Sequence, residues 1–292
     1  MILITGGTGQ VGGETARELR RQGHAVRALV RDPGSPAAVA LAAVGVELVP
    51  GDQARPETLG AALAGVFAVL VGSSNDEGQL EREGNVIAAV QAAGHGARIV
   101  KLAALGTAPG SPISILATHA AVEARLAASG LAWTSLRPGS FMQNFLRYAD
   151  TIRGHGAFYG CQGEAPIAMV DTRDVAAVAA GCLTATGDAH AGKAYEVTGG
   201  EALTYAEAAA AIAAATGTAV AYVDVPPAAA RQGMVDAGLP GWLADDLVGL
   251  AKLFEGPLGR DVTSVVQDVT GRPPHTFAAF AREHASLFQA EE

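Results

Sequence analysis

The chain opens with a short apolar run, residues 2–5, and passes directly into Gly6-Gly7-Thr8-Gly9-Gln10-Val11-Gly12-Gly13 and then a helical stretch over 11–21. In that stretch Val11, Thr15, Ala16 and Leu19 share one face, while Glu14, Arg17, Glu18 and Arg21 point away from it. A strand, a glycine-rich turn and a helix in this order admit few folds. Two glycine registers are satisfied at once, Gly6-Gly9-Gly12 and Gly7-Gly9-Gly12. Glycines so spaced serve a tight turn, a close approach of backbone to a pyrophosphate, and close packing of helix on strand. The helix start offers free N–H groups and a partial positive charge to an anion. Gly6, Thr8, Gly9, Gln10, Val11 and Gly12 are therefore the expected pyrophosphate-binding residues of a dinucleotide site.

The same beat continues. Strand-like apolar runs at 25–30, 46–50, 66–71, 97–103 and 132–137 alternate with helical stretches at 36–44, 56–63, 77–93 and 113–129. Such alternation means βαβ units and a parallel sheet. The strands read as continuous apolar runs, as strands covered on both faces do. The fold class expected is α/β, a Rossmann-type doubly wound parallel sheet. After Pro138 the beat changes: a helix over 141–152, a loop at 154–163, a strand at 166–170, a helix at 172–183, a strand at 194–197 and mostly helical segments beyond. The organisation expected is a dinucleotide-binding domain over 1–140 and a smaller, mostly helical lobe over 141–292, with some segments around 166–200 returning to the sheet.

The second strand ends at Val30, where an acidic residue would bind the ribose hydroxyls of NAD. Arg31 stands there, 25 positions after Gly6, and a guanidinium fits a 2′-phosphate instead, so NADPH is the cofactor expected. Asp32 is expected to turn away or to pair with Arg31. Composition narrows the rest. The chain has 292 residues, 49% hydrophobic and 17% charged, with formal net charge −9. That excludes a disordered chain and argues against nonspecific nucleic-acid binding. Cys161 and Cys182 make no disulfide framework and no metal-ligand spacing. The start has no basic segment before its glycines, and the apolar stretch at 208–223 is broken by Thr216, Gly217 and Thr218. A cytoplasmic chain without a membrane span, and without a bound metal, is expected.

Taken together, the 5–12 loop with Arg31, Gly51-Asp52 after the third strand, the run from Leu136 to Asn144, Asp171-Thr172-Arg173-Asp174-Val175-Ala176, and Tyr195-Glu196-Val197-Thr198-Gly199-Gly200 resemble the NmrA-like branch of the atypical short-chain dehydrogenases/reductases. The Arg-Pro-Gly-x-Phe-Met-x-Asn segment is the most specific of these. The flavour is that of the NAD(P)H:quinone reductases and triphenylmethane-dye reductases. The resemblance implies a Rossmann domain with a C-terminal substrate lobe. It places Asp52 and Gln53 beside the adenine, and Gly72, Ser73 and Ser74 on the ribose side. Pro138, Gly139 and Phe141 fall by the nicotinamide, and Phe141, Met142 and Asn144 in the substrate pocket. Trp242 and Phe254 are further apolar candidates for that pocket.

One departure from the wider superfamily is informative. The helix after the fifth strand usually carries Tyr-x-x-x-Lys, in which the tyrosine gives a proton and the lysine lowers its pKa. Aligned on Glu123, those positions are Ile115 and His119, and the usual strand-end serine is replaced by Ala103-Ala104. This argues against ordinary alcohol dehydrogenation and sugar epimerisation. His119, with Glu123 one turn on, is either a candidate general acid or a residue that only hydrogen-bonds a ribose or the backbone. Lys101 is the other cation, either an edge residue reaching solvent or one pointing at the site. The function implied is reduction of a quinone or other conjugated, electron-poor aromatic by NADPH without the usual relay, with a polycyclic secondary metabolite as a narrower case. The alternative is a non-catalytic NADP(H)-sensing regulator that binds a protein partner. A small-molecule substrate, and a monomer or homodimer, are expected.

Overall fold

The computed structural model describes residues 1–94 and 96–289; residues 290–292, the end of the expected second lobe, lie outside the described residues. The first half runs β1 (Ile2–Ile4), α1 (Gln10–Arg21), β2 (Val26–Val30), α2 (Pro36–Ala43), β3 (Glu47–Pro50), α3 (Leu59–Ala62), β4 (Ala68–Val71), α4 (Gln79–Ala93), β5 (Arg98–Leu102), α5 (Ser114–Ala128) and β6 (Trp133–Pro138). There follow α6 (Ala149–His155), β7 (Ala157–Gly160), α7 (Thr172–Thr184), β8 (Lys193–Val197), α8 (Tyr205–Thr216), β9 (Ala221–Asp224), α9 (Pro227–Asp236), α10 (Gly241–Phe254) and four shorter helices. The chain divides into two compact units. One comprises Met1–Pro138, Thr172–Val197 and Asp268–Gly271, and the other comprises Gly139–Asp171, Thr198–Gln267 and the chain from Arg272 on.

In the first unit seven strands form a parallel sheet in the order β3-β2-β1-β4-β5-β6-β8, the Rossmann-type arrangement the alternation implies. The central strands read as continuous apolar runs because both faces of the sheet are covered. On one face Leu3, Val69, Val71 and Ile99 pack against Val86, Ile87 and Val90 of α4 and Val122 and Leu126 of α5. On the other, α7 lies against α1 and against β4, β5 and β6. Val175, Ala176, Val178, Ala179 and Ala180 of α7 are all buried, and small side chains on this helix permit its close approach to α1. The second unit has an aromatic core in which Phe145 meets Phe158, Tyr205 and Phe277 at ring-centroid distances of 5.5, 5.0 and 4.8 Å. Beside it β7 and β9 pair in parallel.

Three expected elements differ, the first being the loop expected at 154–163, which contains β7 paired with β9. Residues 166–170 form no strand of the sheet. Ile167 and Val170 make isolated bridges to Leu203 and Phe141 inside the second unit, and the chain rejoins the sheet only with α7 and β8. Residues 141–152 are also not one α-helix, for Met142–Tyr148 is a 3-10 helix that α6 follows. A period of three puts Met142, Phe145 and Tyr148 in one column, which delivers all three to the aromatic core.

Glycine is required at Gly12. A Cβ there would lie 2.4 Å from the Gly6 carbonyl oxygen, so α1 can pack on the loop only without one. Gly12→Ala should cost about 1–3 kcal/mol, the range of overpacking. Gly154, exposed in α6 with open space around it, should do the reverse. Gly154→Ala should gain about 0.5–1 kcal/mol through helix propensity. Urea denaturation of both variants checks the opposite signs.

Candidate functional site

Ligands of open α/β sheets bind outside the carboxyl ends of the strands where the strand order reverses. Here that point lies between β1 and β4, which are neighbours although two strands separate them in sequence. Gly6 follows β1 and Gly72 follows β4. Gly6 adopts φ +67°, and a Cβ on it would lie 2.8 Å from the Gly72 carbonyl oxygen. The Thr5 hydroxyl bridges the two ends: it lies 3.0 Å from the Leu70 oxygen and accepts the Gly72 N–H at 3.1 Å.

From this edge α1 starts with Gly9 as its N-cap. No side chain caps the helix, and no acidic residue lies in its first turn. The Gly9 N–H donates to the Gly6 oxygen at 2.9 Å, which closes the loop. Thr8, Gly9 and Gln10 are exposed, whereas the Val11 side chain is buried and only its N–H belongs to the free first turn. Such an uncapped helix start, bordered by exposed small residues, suits a pyrophosphate.

Arg31 is exposed just past β2 and makes no ion pair or hydrogen bond with any described residue. The Asp32 carboxylate turns back onto the Gly34 N–H at 2.8 Å, so it does not occupy the guanidinium. Past β3, Asp52 accepts the Ala54 N–H at 2.9 Å. Gln53 is buried and donates to the Gly72 oxygen at 3.1 Å, while its Oε1 is buried without a hydrogen-bond partner among the described residues. An orphaned acceptor at this edge fits a ligand that brings an N–H or O–H. Ser74 is exposed, and neither it nor Ser73 caps α4, whose N-cap is Gly78.

Behind Ser73 lies a cluster of buried polar side chains. Lys101 is wholly buried in β5, a central strand, so it neither reaches solvent at an edge nor lines an open site. Its Nζ lies 2.9 Å from Glu83 Oε2 and 3.1 Å from His119 Nδ1, and it also donates to the Leu102 carbonyl. The Gln79 amide nitrogen is 3.3 Å from both Glu83 Oε1 and His119 Nδ1. The Ser73 hydroxyl donates to Glu83 Oε1 at 3.0 Å. His119 Nδ1 thus faces two donors and must be the unprotonated nitrogen. Burial, and then the Lys101 charge, hold the imidazole well below its ordinary pKa of 6.5. Burial also lowers Lys101, against the raising effect of Glu83. His119 is therefore a neutral, buried acceptor rather than an exposed acid. Nor is Glu123 its partner, for that carboxylate takes Ser135 at 2.6 Å and Arg137 at 3.0 Å. Glu83 and Gln79 escape a reading of sequence alone. Their signal is the buried stripe of α4, in which positions 79 and 83 precede Val86, Ile87 and Val90.

Of the remaining expected residues, Pro138 ends β6 and is buried in the first unit. Gly139 begins the second unit, where Phe141 bridges Val170. Met142 is 1% exposed, its side chain spent on the aromatic core, so it lines no open pocket. Asn144 is half-buried, Phe254 packs against that core, and Trp242 stands exposed on α10 outside it.

The pattern of the NmrA-like family matches residues 1–267. The chain belongs to the NmrA-like family. It is 42% identical over 290 residues to the NAD(P)H azoreductase of Xenophilus azovorans, covering 99% of this chain and all of that one. It is 37% identical over 292 residues to the (4-alkanoyl-5-oxo-2,5-dihydrofuran-3-yl)methyl phosphate reductase of Streptomyces griseus, with full coverage of both. Among solved structures, the NADPH complex of the NADPH-dependent quinone oxidoreductase of Escherichia coli superposes with a TM-score of 0.84 at 33% identity, over 97% of this chain and 99% of that one. No helix among the described residues of this NmrA-like chain is long and apolar enough to cross a membrane, and no group of metal-binding side chains is present among them.

A neutral His119 has a consequence for stability. A free imidazole takes a proton as the pH falls through 6.5, and the folded one refuses it. Below that pH the unfolded chain binds more protons, so stability falls on acidification, by about 1.4 kcal/mol per pH unit until the folded imidazole titrates. His119→Gln keeps an acceptor for Lys101 and should remove that component. Unfolding free energies compared between about pH 7 and 5 check it, and an unchanged slope in the variant contradicts the neutral imidazole.

Proposed function

We propose that this NmrA-like protein is an NADPH-dependent reductase that delivers hydride to quinone, azo or other conjugated, electron-poor acceptors. The observation that carries this reading is the sealing of the relay position. Ile115 stands where the superfamily's tyrosine would, and His119 and Lys101 are buried and already hydrogen-bonded. The site thus offers no strong proton donor from this helix. Acceptors whose reduced form is stabilised by conjugation need positioning more than acid catalysis. The relatives named above as azoreductase and quinone oxidoreductase act on groups of this kind, which supports the substrate class.

The chain's own residues then divide the work. The first-turn N–H groups of α1, with Thr8 and Gln10, hold the pyrophosphate. Arg31, with its guanidinium unengaged, takes the 2′-phosphate. Asp52 and Gln53 flank the adenine, and Gly72, Ser73 and Ser74 follow the ribose. Gly139, Phe141 and Asn144 position the nicotinamide and the acceptor, with Trp242 and Phe254 as apolar lining; Met142 supports them from the core. NADPH, when bound, supplies the hydride. The proton for the reduced acceptor comes from water.

The test is the loss of NADPH absorbance against a panel of quinones, azo dyes, enones, imines and isolated ketones. Turnover should be confined to the conjugated members. Tight NADPH binding without turnover of any of them would favour a regulatory sensor. Arg31→Ala should weaken NADPH by about 1.5–3 kcal/mol, the range of charged hydrogen bonds, and leave NADH nearly unchanged. Equal losses for both cofactors would sink the assignment of Arg31.

A further inference from the structure

The cluster behind Ser73 is more ordered than burial demands. Lys101 hydrogen-bonds His119 Nδ1 and the Leu102 oxygen, and its Nζ is ion-paired with Glu83 Oε2 at 2.9 Å, an oxygen that takes no hydrogen bond among the described residues. Gln79 spends its two amide protons on Glu83 Oε1 and His119 Nδ1. The single Ser73 proton goes to Glu83 Oε1 at 3.0 Å rather than to the Ser74 oxygen at 3.5 Å. The donors of Gln79 and Ser73 point inward, where Glu83 Oε1 and His119 Nδ1 receive them, while Glu83 Oε2 faces the Lys101 charge. Ser73 is the one member that is not fully buried. Its oxygen presents only lone pairs to a ligand. It does not serve as a proton donor there, because its one proton is spent on Glu83 Oε1.

We propose that Glu83, held by Lys101 and Gln79, which His119 holds in turn, is a positioning residue that fixes the Ser73 hydroxyl as an outward acceptor. On the NADPH reading given above, Ser73 then takes a hydroxyl or amide N–H of the dinucleotide held on the glycine loop. The position agrees with this, since Ser73 follows Gly72, whose carbonyl abuts Gly6. A site that can only accept discriminates for donors and against phosphate and carboxylate oxygens. The fourth strand's end is thereby reserved for a neutral part of the cofactor, while the anionic parts go to α1 and Arg31.

The test uses the full-length protein and NADPH as the probe, followed by fluorescence titration and steady-state kinetics. Ser73→Ala should weaken NADPH and raise its KM by about 5–30-fold, the effect of one lost hydrogen bond, with kcat at saturation falling less than about threefold. Ser73→Thr, which keeps the hydroxyl, should restore most of the affinity. Glu83→Leu combined with Lys101→Met removes the buried charges together, a change that cores often tolerate. That pair should lose about the same factor in affinity, and adding Ser73→Ala to it should lose little more. Losses that multiply, or an affinity per folded molecule equal to wild type, would reduce the cluster to a structural role and overturn the proposal. A fall in kcat of about a hundredfold at unchanged KM would make Ser73 a proton donor and overturn it equally. Nitrogen-15 NMR of His119 needs no variant to fold: the proposal requires an unprotonated Nδ1, and a protonated one rejects it while leaving the NADPH reading standing. Failure of the wild-type protein to bind NADPH would reject that reading itself.

Discussion

An ammonium group in the middle of a parallel sheet must be paired, and the rest of the first unit is arranged around that requirement. Lys101 has no exposed surface, and desolvating its charge costs several kcal/mol unless neighbours replace the lost water. Each of its partners comes from a different element: Glu83, ion-paired, from α4, His119 from α5 and the Leu102 carbonyl from β5 itself. The pair therefore registers both helices against the strand, beyond what the apolar contacts of Val86, Ile87 and Val122 specify. Removing one partner of such a pair costs about 3–5 kcal/mol, yet replacing both by apolar residues is often neutral. Stability alone does not call for ions here. Their directional bonds do something that leucine and methionine cannot, which is to fix which way a neighbouring hydroxyl points.

The same edge of the sheet owes its form to backbone rather than side chains. Gly6 and Gly12 let the β1 end, the β4 end and the start of α1 approach closer than any Cβ allows. The helix then begins with uncapped N–H groups beside exposed Thr8 and Gln10. Suitability for an anion is thus a consequence of packing: the contact that brings α1 onto the sheet also leaves its free donors at the strand-order reversal. Arg31 adds charge at the next strand end, and the turning of Asp32 onto Gly34 keeps that charge unneutralised.

Much of this was legible in the residues because it is local. Strand and helix periods, the glycine spacing and the place of Arg31 depend on neighbours within a turn or two, and the sheet order follows from βαβ geometry. What was hidden depends on tertiary partners. Lys101 inside an apolar run read as an edge or site residue, because nothing in sequence shows that Glu83, eighteen positions earlier, will meet it. One reading of His119 made it an acid beside Glu123, since helical spacing favours that pairing; the other gave it only a hydrogen bond to a ribose or the backbone. The structure gives Glu123 to Ser135 and Arg137, whose β6 lies closer to that face. Met142 read as pocket lining because its type suits one, and only the 3-10 period revealed the column that buries it. The 166–170 run has strand composition, but its neighbours in space are Leu203 and Phe141 rather than β6.

These corrections change the chemistry in one direction. An exposed His119 with a carboxylate behind it would have been a general acid near neutral pH, and ketones or imines would have been reasonable acceptors. A buried His119 with Nδ1 facing an ammonium is held neutral, because protonating it would set two cations side by side. Lys101 cannot reach a substrate, and Ser73 has committed its proton inward. The polar groups of this region are all present, yet each is turned to hold another in place. On the function proposed above, hydride transfer to an acceptor that stabilises the added charge by conjugation is the step such a site would accelerate by orientation. On that reading the buried ions would serve as framework for the cofactor's position rather than as partners in proton transfer.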